Sequence, residues 1–261
     1  SPSKSIPQLL AIHKAIGNLQ DSYWKKIKLA DCESLIKECL GLFVEVRTSR
    51  FKASPGTTLP VSLEVINRSD VAVTLVSVSP SSNDTVFNFS SPLAYNQGFL
   101  KEFSIQTPAR LSIPYWLIKH PDEGMYIVDD QQLRGLPSDP PSITMQINLE
   151  VSGNSIILNT PVIYKAVDPA EGEITRPLSI IPPVTVESDD EVLVFGHKQP
   201  RQIRLTLTAA MDSIQGQLHL HTSKAEWKIS PPMIEWSFDK AGESRVVECT
   251  VTPPDNTSKA D

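Results

Sequence analysis

Few residues in this chain combine the right types at the right spacing to do chemistry. His120-Pro121-Asp122-Glu123 places an imidazole and two carboxylates within four positions, donor types that hold zinc and activate its water. A hydrolytic zinc site needs three convergent ligands, and the sequence around this segment offers too few groups to complete one. The segment comes after Ile113-Pro114-Tyr115-Trp116-Leu117 without a strand–helix–strand pattern around it, so the expectation is a charged surface turn. His219 and His221 form a second candidate, because a period of two puts both rings on one side of a strand. No acid or thiol beside them offers a third ligand, and an ordinary solvent-facing pair is expected. Asp189-Asp190-Glu191 has oxygens of the kind calcium takes but too few of them, which favours a turn before a strand.

Nucleophile elbows of the Gly-x-Ser-x-Gly type and phosphate-binding glycine loops are absent. Eleven glycines in 261 residues leave little for a cofactor cradle. The expectation is therefore no catalytic residue, no metal ligand and no cofactor in this segment. Tyr115, Trp116 and Tyr126 remain as a candidate ligand or interface surface, since flat aromatic rings stack on sugar rings. The competing reading puts them in a core or an inter-domain contact. Four Asn-x-Ser/Thr sequons, at Asn67, Asn83, Asn88 and Asn256, matter only where the source glycosylates such sites.

These residues have to be positioned by the elements around them. Leu9, Ile12, Ile16, Leu19 and Tyr23 follow helical spacing, and Leu29, Cys32, Ile36, Cys39 and Phe43 repeat it in another phase. The break lies between Asp21 and Lys28, where Asp21 and Ser22 are good N-caps, so two helices meeting at a tight turn or one kinked helix are expected. Gly41 stands near the end. From residue 44 the period becomes two. Leu59, Val61, Leu63 and Val65 alternate with polar residues or proline, as do Met145, Ile147, Leu149 and Val151, then Ile203, Leu205 and Leu207, then Ile234, Trp236 and Phe238. That is the pattern of strands with one face on a core and one in water. Turn signals at Ser54-Pro55-Gly56, Asn67-Arg68-Ser69-Asp70, Ser152-Gly153-Asn154 and Lys240-Ala241-Gly242 separate them.

The fold class read from this is mainly β: two immunoglobulin-like antiparallel β-sandwiches preceded by a short α-helical hairpin. Residues 1–43 form a helical connector, 44–182 the first sandwich and 183–261 a second, smaller one. Ile180-Ile181-Pro182-Pro183 marks the boundary. The second is short for an immunoglobulin-like domain of ~100 residues, and is expected to lack one or two terminal strands.

Composition narrows the function classes. A formal net charge of −6 with no dense Lys/Arg stripe argues against nucleic acid, whose phosphates must be neutralised several at a time. Lys25, Lys26 and Lys28 cluster on a helix, where a solvated face is expected. No apolar run approaches the ~20 residues of a membrane span. Three scattered cysteines suit core packing better than a disulfide framework. Cys32 and Cys39, seven apart on a helix, are out of bonding reach.

Several segments in order carry a resemblance: Gly41-Leu42-Phe43-Val44-Glu45, Pro55-Gly56, Val65-Ile66-Asn67-Arg68-Ser69, Pro114-Tyr115-Trp116-Leu117, Gly124-Met125-Tyr126 and Gly172-Glu173-Ile174-Thr175-Arg176-Pro177-Leu178. Together they resemble the region downstream of the catalytic domain in Bacteroidetes proteins of the PIG-L/LmbE deacetylase family. Gly216-Gln217-Leu218 and Trp227-Lys228-Ile229-Ser230-Pro231 look like the NPCBM-associated β-sandwich that accompanies sugar-binding modules in glycosidases. The resemblance implies a zinc-dependent parent acting on N-acetylglucosamine-type groups, hence carbohydrate metabolism, secreted to the periplasm or cell surface. In that family His-Pro-Asp-Asp supplies zinc ligands and base, but His120-Pro121-Asp122-Glu123 lies inside the accessory region and does not align with it. The expected role is a non-catalytic accessory region docking on the upstream catalytic domain of the same polypeptide. The alternatives are a glycan-binding or adhesive module using Tyr115, Trp116 and Tyr126, and a self-contained metal-dependent hydrolase using His120, Asp122, His219 and His221.

Overall fold

The structure is a computed structural model that describes residues 1–195 and 199–254. The sequon at Asn256 lies outside them. The chain is mainly β and divides into two compact units, Ser1–Ile180 and Ile181–Asp261.

The larger unit begins with a 3-10 turn at Pro2–Ser5, then α1 (Ile6–Gly17) and α2 (Ser22–Cys39). Asp21 caps α2 where the apolar phase breaks, its carboxylate accepting the Trp24 N–H at 2.9 Å. At the other end Gly41 takes φ +58°. Its N–H donates to the Glu38 carbonyl and that of Leu42 to Lys37, a pair of bonds that closes the last turn. Phe43, counted by spacing as the last member of the helical stripe, instead opens the first strand.

Ten strands follow: β1 (Phe43–Thr48), β2 (Lys52–Ala53), β3 (Thr58–Ile66), β4 (Val73–Pro80), β5 (Phe87–Pro92), β6 (Gly98–Gln106), β7 (Thr144–Val151), β8 (Asn154–Asp168), β9 (Gly172–Pro177) and β10 (Ser179–Ile180). The main sheet runs β5-β4-β7-β8-β1-β3-β6, with β9 also on β8. β8 connects the two halves of this order. Residues 154–161 pair with β7, whereas Val162–Tyr164 run parallel to β1 and the rest pairs with β9. The two ends of the order then face each other: Phe87 and Phe89 of β5 meet Phe99 and Phe103 of β6, with ring centroids 4.4 to 6.4 Å apart. The sheet is thus folded over its own core. Apart from β1–β8 and the short pair β2–β10, the strand pairings are antiparallel.

The alternating rows of β3 and β7 line that core. Leu59, Val61, Leu63, Val65, Met145, Ile147, Leu149 and Val151 are all buried. The β7–β8 hairpin turns on Ser152 and Gly153, both at positive φ, which suits the twist of the flanking strands. Asn67 is buried as well, and its amide organises the β3–β4 turn. Nδ2 donates to the carbonyls of Val71 (3.0 Å) and Leu93 (3.4 Å), while Oδ1 accepts from the Ser69 N–H and hydroxyl. That nitrogen is committed to the fold, so this sequon offers no free amide.

The helices share the same core chiefly at their base, with half-buried Ile16 packed against it nearest the tip. Ile6, Leu10, Cys32, Ile36 and Leu40 pack with the strand residues, whereas no residue from Ala11 to Asp31 is buried.

The smaller unit has β11 (Val184–Ser188), β12 (Arg201–Ala209), β13 (Ile214–His219), β14 (Lys228–Ser230), β15 (Met233–Phe238) and β16 (Ser244–Thr252). β11-β12-β16-β14 form one sheet and β13-β15 another. Leu205, Leu207, Ala209, Phe238, Val247 and Cys249 are its buried core. The three cysteines are free thiols. Burial pushes the Cys32 and Cys249 thiols up, and the neighbouring Glu33 carboxylate raises Cys32 further.

Candidate binding surface

Tyr115, Trp116 and Tyr126 all lie between β6 and β7, in residues 107–143. Loops of this length without strands or long helices usually carry function. This one is held shut at its base. The Ser112 N–H donates to the Ile180 carbonyl, the Ile180 N–H to the Ser112 hydroxyl, and the Ser142 hydroxyl to the Leu178 carbonyl. Inside it, Tyr115 donates its phenol to the Leu136 carbonyl (3.0 Å) and its N–H to Asp139 (2.7 Å). The Arg134 guanidinium makes two bonds to the Val128 carbonyl, and Lys119 pairs with Asp129 at 2.6 Å.

Bracing of this kind lets a loop present apolar side chains outward. Ile113, Leu117, Ile118, Met125, Tyr126, Ile127 and Leu136 are all exposed, Met125 at 72% and Tyr126 at 58%. Tyr115 and Trp116, by contrast, are half-buried and meet edge to face, with centroids 4.9 Å apart and planes at 89°. Their faces are perpendicular, so they do not form one continuous platform. Among the described residues Tyr126 shares no ring contact with either.

The His120 segment is an exposed turn within the same loop. Its Nδ1 lies 2.9 Å from the Pro121 carbonyl, and Asp122 Oδ1 accepts the Glu123 N–H. His219 and His221 are exposed and belong to the smaller unit, whereas His120 and Asp122 belong to the larger. Asp189 pairs with Arg204 at 3.2 Å. Among the described residues no three His, Cys, Asp or Glu side chains are grouped to hold a metal. The zinc implied by the family resemblance finds no fitting donor set among the described residues. No helix of the described residues is long and apolar enough to cross a membrane.

Two features escaped sequence reasoning. One is a charged ladder across β9, β8, β1 and β3. Lys165 bonds Glu45 at 2.9 Å and Glu173 at 3.1 Å, while Arg47 lies 3.6 Å from Glu45 and 3.7 Å from Glu64. Hydrogen bonds donated to the Glu45 and Glu173 carboxylates raise the Lys165 ammonium above its ordinary value. No local pattern announces a network whose members come from four strands. The other is the tip of the helical hairpin, where Leu19, Tyr23 and Trp24 are 46%, 58% and 54% exposed. Spacing assigned Leu19 and Tyr23 to the apolar stripe, but only the tertiary structure shows that nothing covers them.

No family model matches the chain, and no curated protein does either. Among solved structures it is similar to red sea bream transglutaminase at 12% identity and TM-score 0.35, covering 90% of this chain and 30% of that one. It is also similar to the secreted serine protease VesC from Vibrio cholerae at 9% identity and TM-score 0.28, covering 85% and 48% respectively. The chain thus spans less than half of either protein.

Proposed function

We propose that this chain is the non-catalytic accessory region of a larger zinc-dependent deacetylase, one acting on N-acetylglucosamine-type groups in the periplasm or at the cell surface. The sandwiches serve as spacers, and the helical hairpin serves as the docking element that positions the hydrolytic domain. The observation that carries docking is the division of the hairpin. Its base is buried on the sandwich, while residues 11–31 carry Ile12, Leu19, Tyr23 and Trp24 exposed. Burial of the base limits the docking face to the outer half. Large apolar groups left uncovered on an ordered element mark a contact surface. The test is to express the upstream domain of the parent separately and titrate it with this chain. Binding that is lost in Trp24→Ala supports the reading, and no binding by calorimetry at tens of micromolar sinks it.

A second reading, a glycan-binding module, rests on the braced loop and its outward apolar residues. A glycan array of amino-sugar polymers decides it, because a signal has to disappear with Trp116→Ala or Tyr126→Ala.

A further inference from the structure

The base of the hairpin and the loop over residues 107–143 lie at opposite ends of the larger unit. β3 runs from Thr58, where the Thr57 carbonyl accepts the Thr107 N–H, to Ile66, which pairs with Phe43 just after the helices. β7 likewise starts at Thr144, directly after the loop, and ends at Val151. The turns at that far end, around Asp70 and Ser152–Asn154, line a groove with Ser3, Ile6 and Leu10. Nine strand residues separate the two ends by about 28 Å, so the hairpin leaves the sandwich at the end away from the loop.

The two ends are complementary in charge as well as apolar. Around the tip, Lys14, Lys25, Lys26 and Lys28 outnumber Asp21 and Asp31. Lys28 is paired with Asp31, but among the described residues Lys25 and Lys26 have no carboxylate partner. In the loop, Asp122, Glu123, Asp129, Asp130 and Asp139 outnumber Arg110, Lys119 and Arg134. Lys119 and Arg134 are spent inside the loop, on Asp129 and on the Val128 carbonyl. Asp122, Glu123 and Asp130 pair with no cation among the described residues, and they flank exposed Met125, Tyr126 and Ile127.

From this juxtaposition we infer that the hairpin tip of one copy docks on the 107–143 loop of a second copy. Leu19, Tyr23 and Trp24 meet Met125, Tyr126 and Ile127, while Lys25 and Lys26 face Asp122, Glu123 and Asp130. The inference rests on the hairpin being a docking element and assigns its outer half to another copy of this chain, in competition with the hydrolytic domain for the same residues. Tip and loop are different surfaces, so the contact is either made twice in a reciprocal two-fold dimer or propagates head-to-tail. In a parent protein it would array the hydrolytic domains.

Sedimentation velocity on the chain itself is the test. The expected result is self-association, to a dimer or beyond, with rising concentration, weakened in ~0.5 M salt because the charged rims are screened. Trp24→Ala should abolish it with the thermal melt unchanged, since Trp24 is exposed and outside the core. Lys25→Glu with Lys26→Glu should weaken association about tenfold. Mixing that variant with Asp122→Lys, Glu123→Lys should restore it. A chain that stays monomeric at every concentration overturns the inference and leaves the tip to the hydrolytic domain, whose binding is measured separately. Association indifferent to Trp24 and to both charge reversals also overturns it, placing the contact elsewhere.

Discussion

The larger and smaller units use the same alternating strands, yet they bury them to different depths. In the larger unit the whole inward rows of β3 and β7 are buried. In the smaller unit Leu205 and Leu207 of β12 are buried, but Ile214 and Leu218 of β13, and Ile234 and Trp236 of β15, are only half-buried. The cause is the width of the opposing layer. The larger sheet folds over itself and its ends close through four phenylalanines. Among the described residues the smaller unit sets a two-stranded sheet against a four-stranded one, so both strands of the narrow layer are edges there. Hydrophobic stabilisation follows area removed from water, and the same pattern of residues is therefore worth less in the smaller unit.

Truncations at matched inward positions probe that difference most directly. Leu63→Ala should cost about 3 kcal/mol, because it empties a fully enclosed site in the core. Leu218→Ala, half-buried on a narrow sheet, should cost roughly 1 kcal/mol. Denaturant unfolding followed by a probe in each unit reads both. Equal losses would mean that sheet width does not govern burial energy here.

The next effect comes from Gly216, which faces Trp236 across the β13–β15 ladder. A Cβ at this glycine would lie 2.5 Å from Trp236 Cζ2. The ring occupies the space that a side chain would take and covers part of the narrow sheet. Gly216→Ala should therefore destabilise the smaller unit by about 1–3 kcal/mol, as overpacking does. It should also shift Trp236 fluorescence, while the larger unit melts as before. An unchanged melt of the smaller unit would show that the ring has room to move aside.

The smallest effect concerns the ladder around Lys165, which has no counterpart among the smaller unit's described ion pairs. Its ammonium is held above its ordinary value by Glu45 and Glu173. A raised cationic group stabilises fully below its unfolded value of about 10.4 and loses that contribution as pH rises through the folded value. The melting temperature of the larger unit should fall above that pH, and Lys165→Met should flatten the fall. A variant with the same alkaline slope as wild type would remove the ladder from the account.

Much of this was legible from residue order. Helical spacing with a phase break located the hairpin, and Asp21 and Gly41 marked a start and a stop because capping is local chemistry. Alternation of apolar and polar residues located β3, β7, β12 and β15 because successive side chains of a strand point to opposite faces. The candidate surface was legible only as residue types. Tyr115, Trp116 and Tyr126 were singled out as aromatic, but the perpendicular packing of the first pair and the separate position of the third depend on how the loop closes on Ser112, Ser142 and Ile180.

What the sequence determined by itself is thus the set of local preferences: caps, turns and the face each side chain takes. What the tertiary structure decided is which faces found partners. It set β8 between β7 and β1, buried the base of the hairpin while leaving its tip in solvent, committed the Asn67 amide to backbone carbonyls, and put that base and the acidic loop at opposite ends of one unit. These outcomes depend on contacts between residues tens of positions apart, and periodicity within a short window carries no information about such pairings.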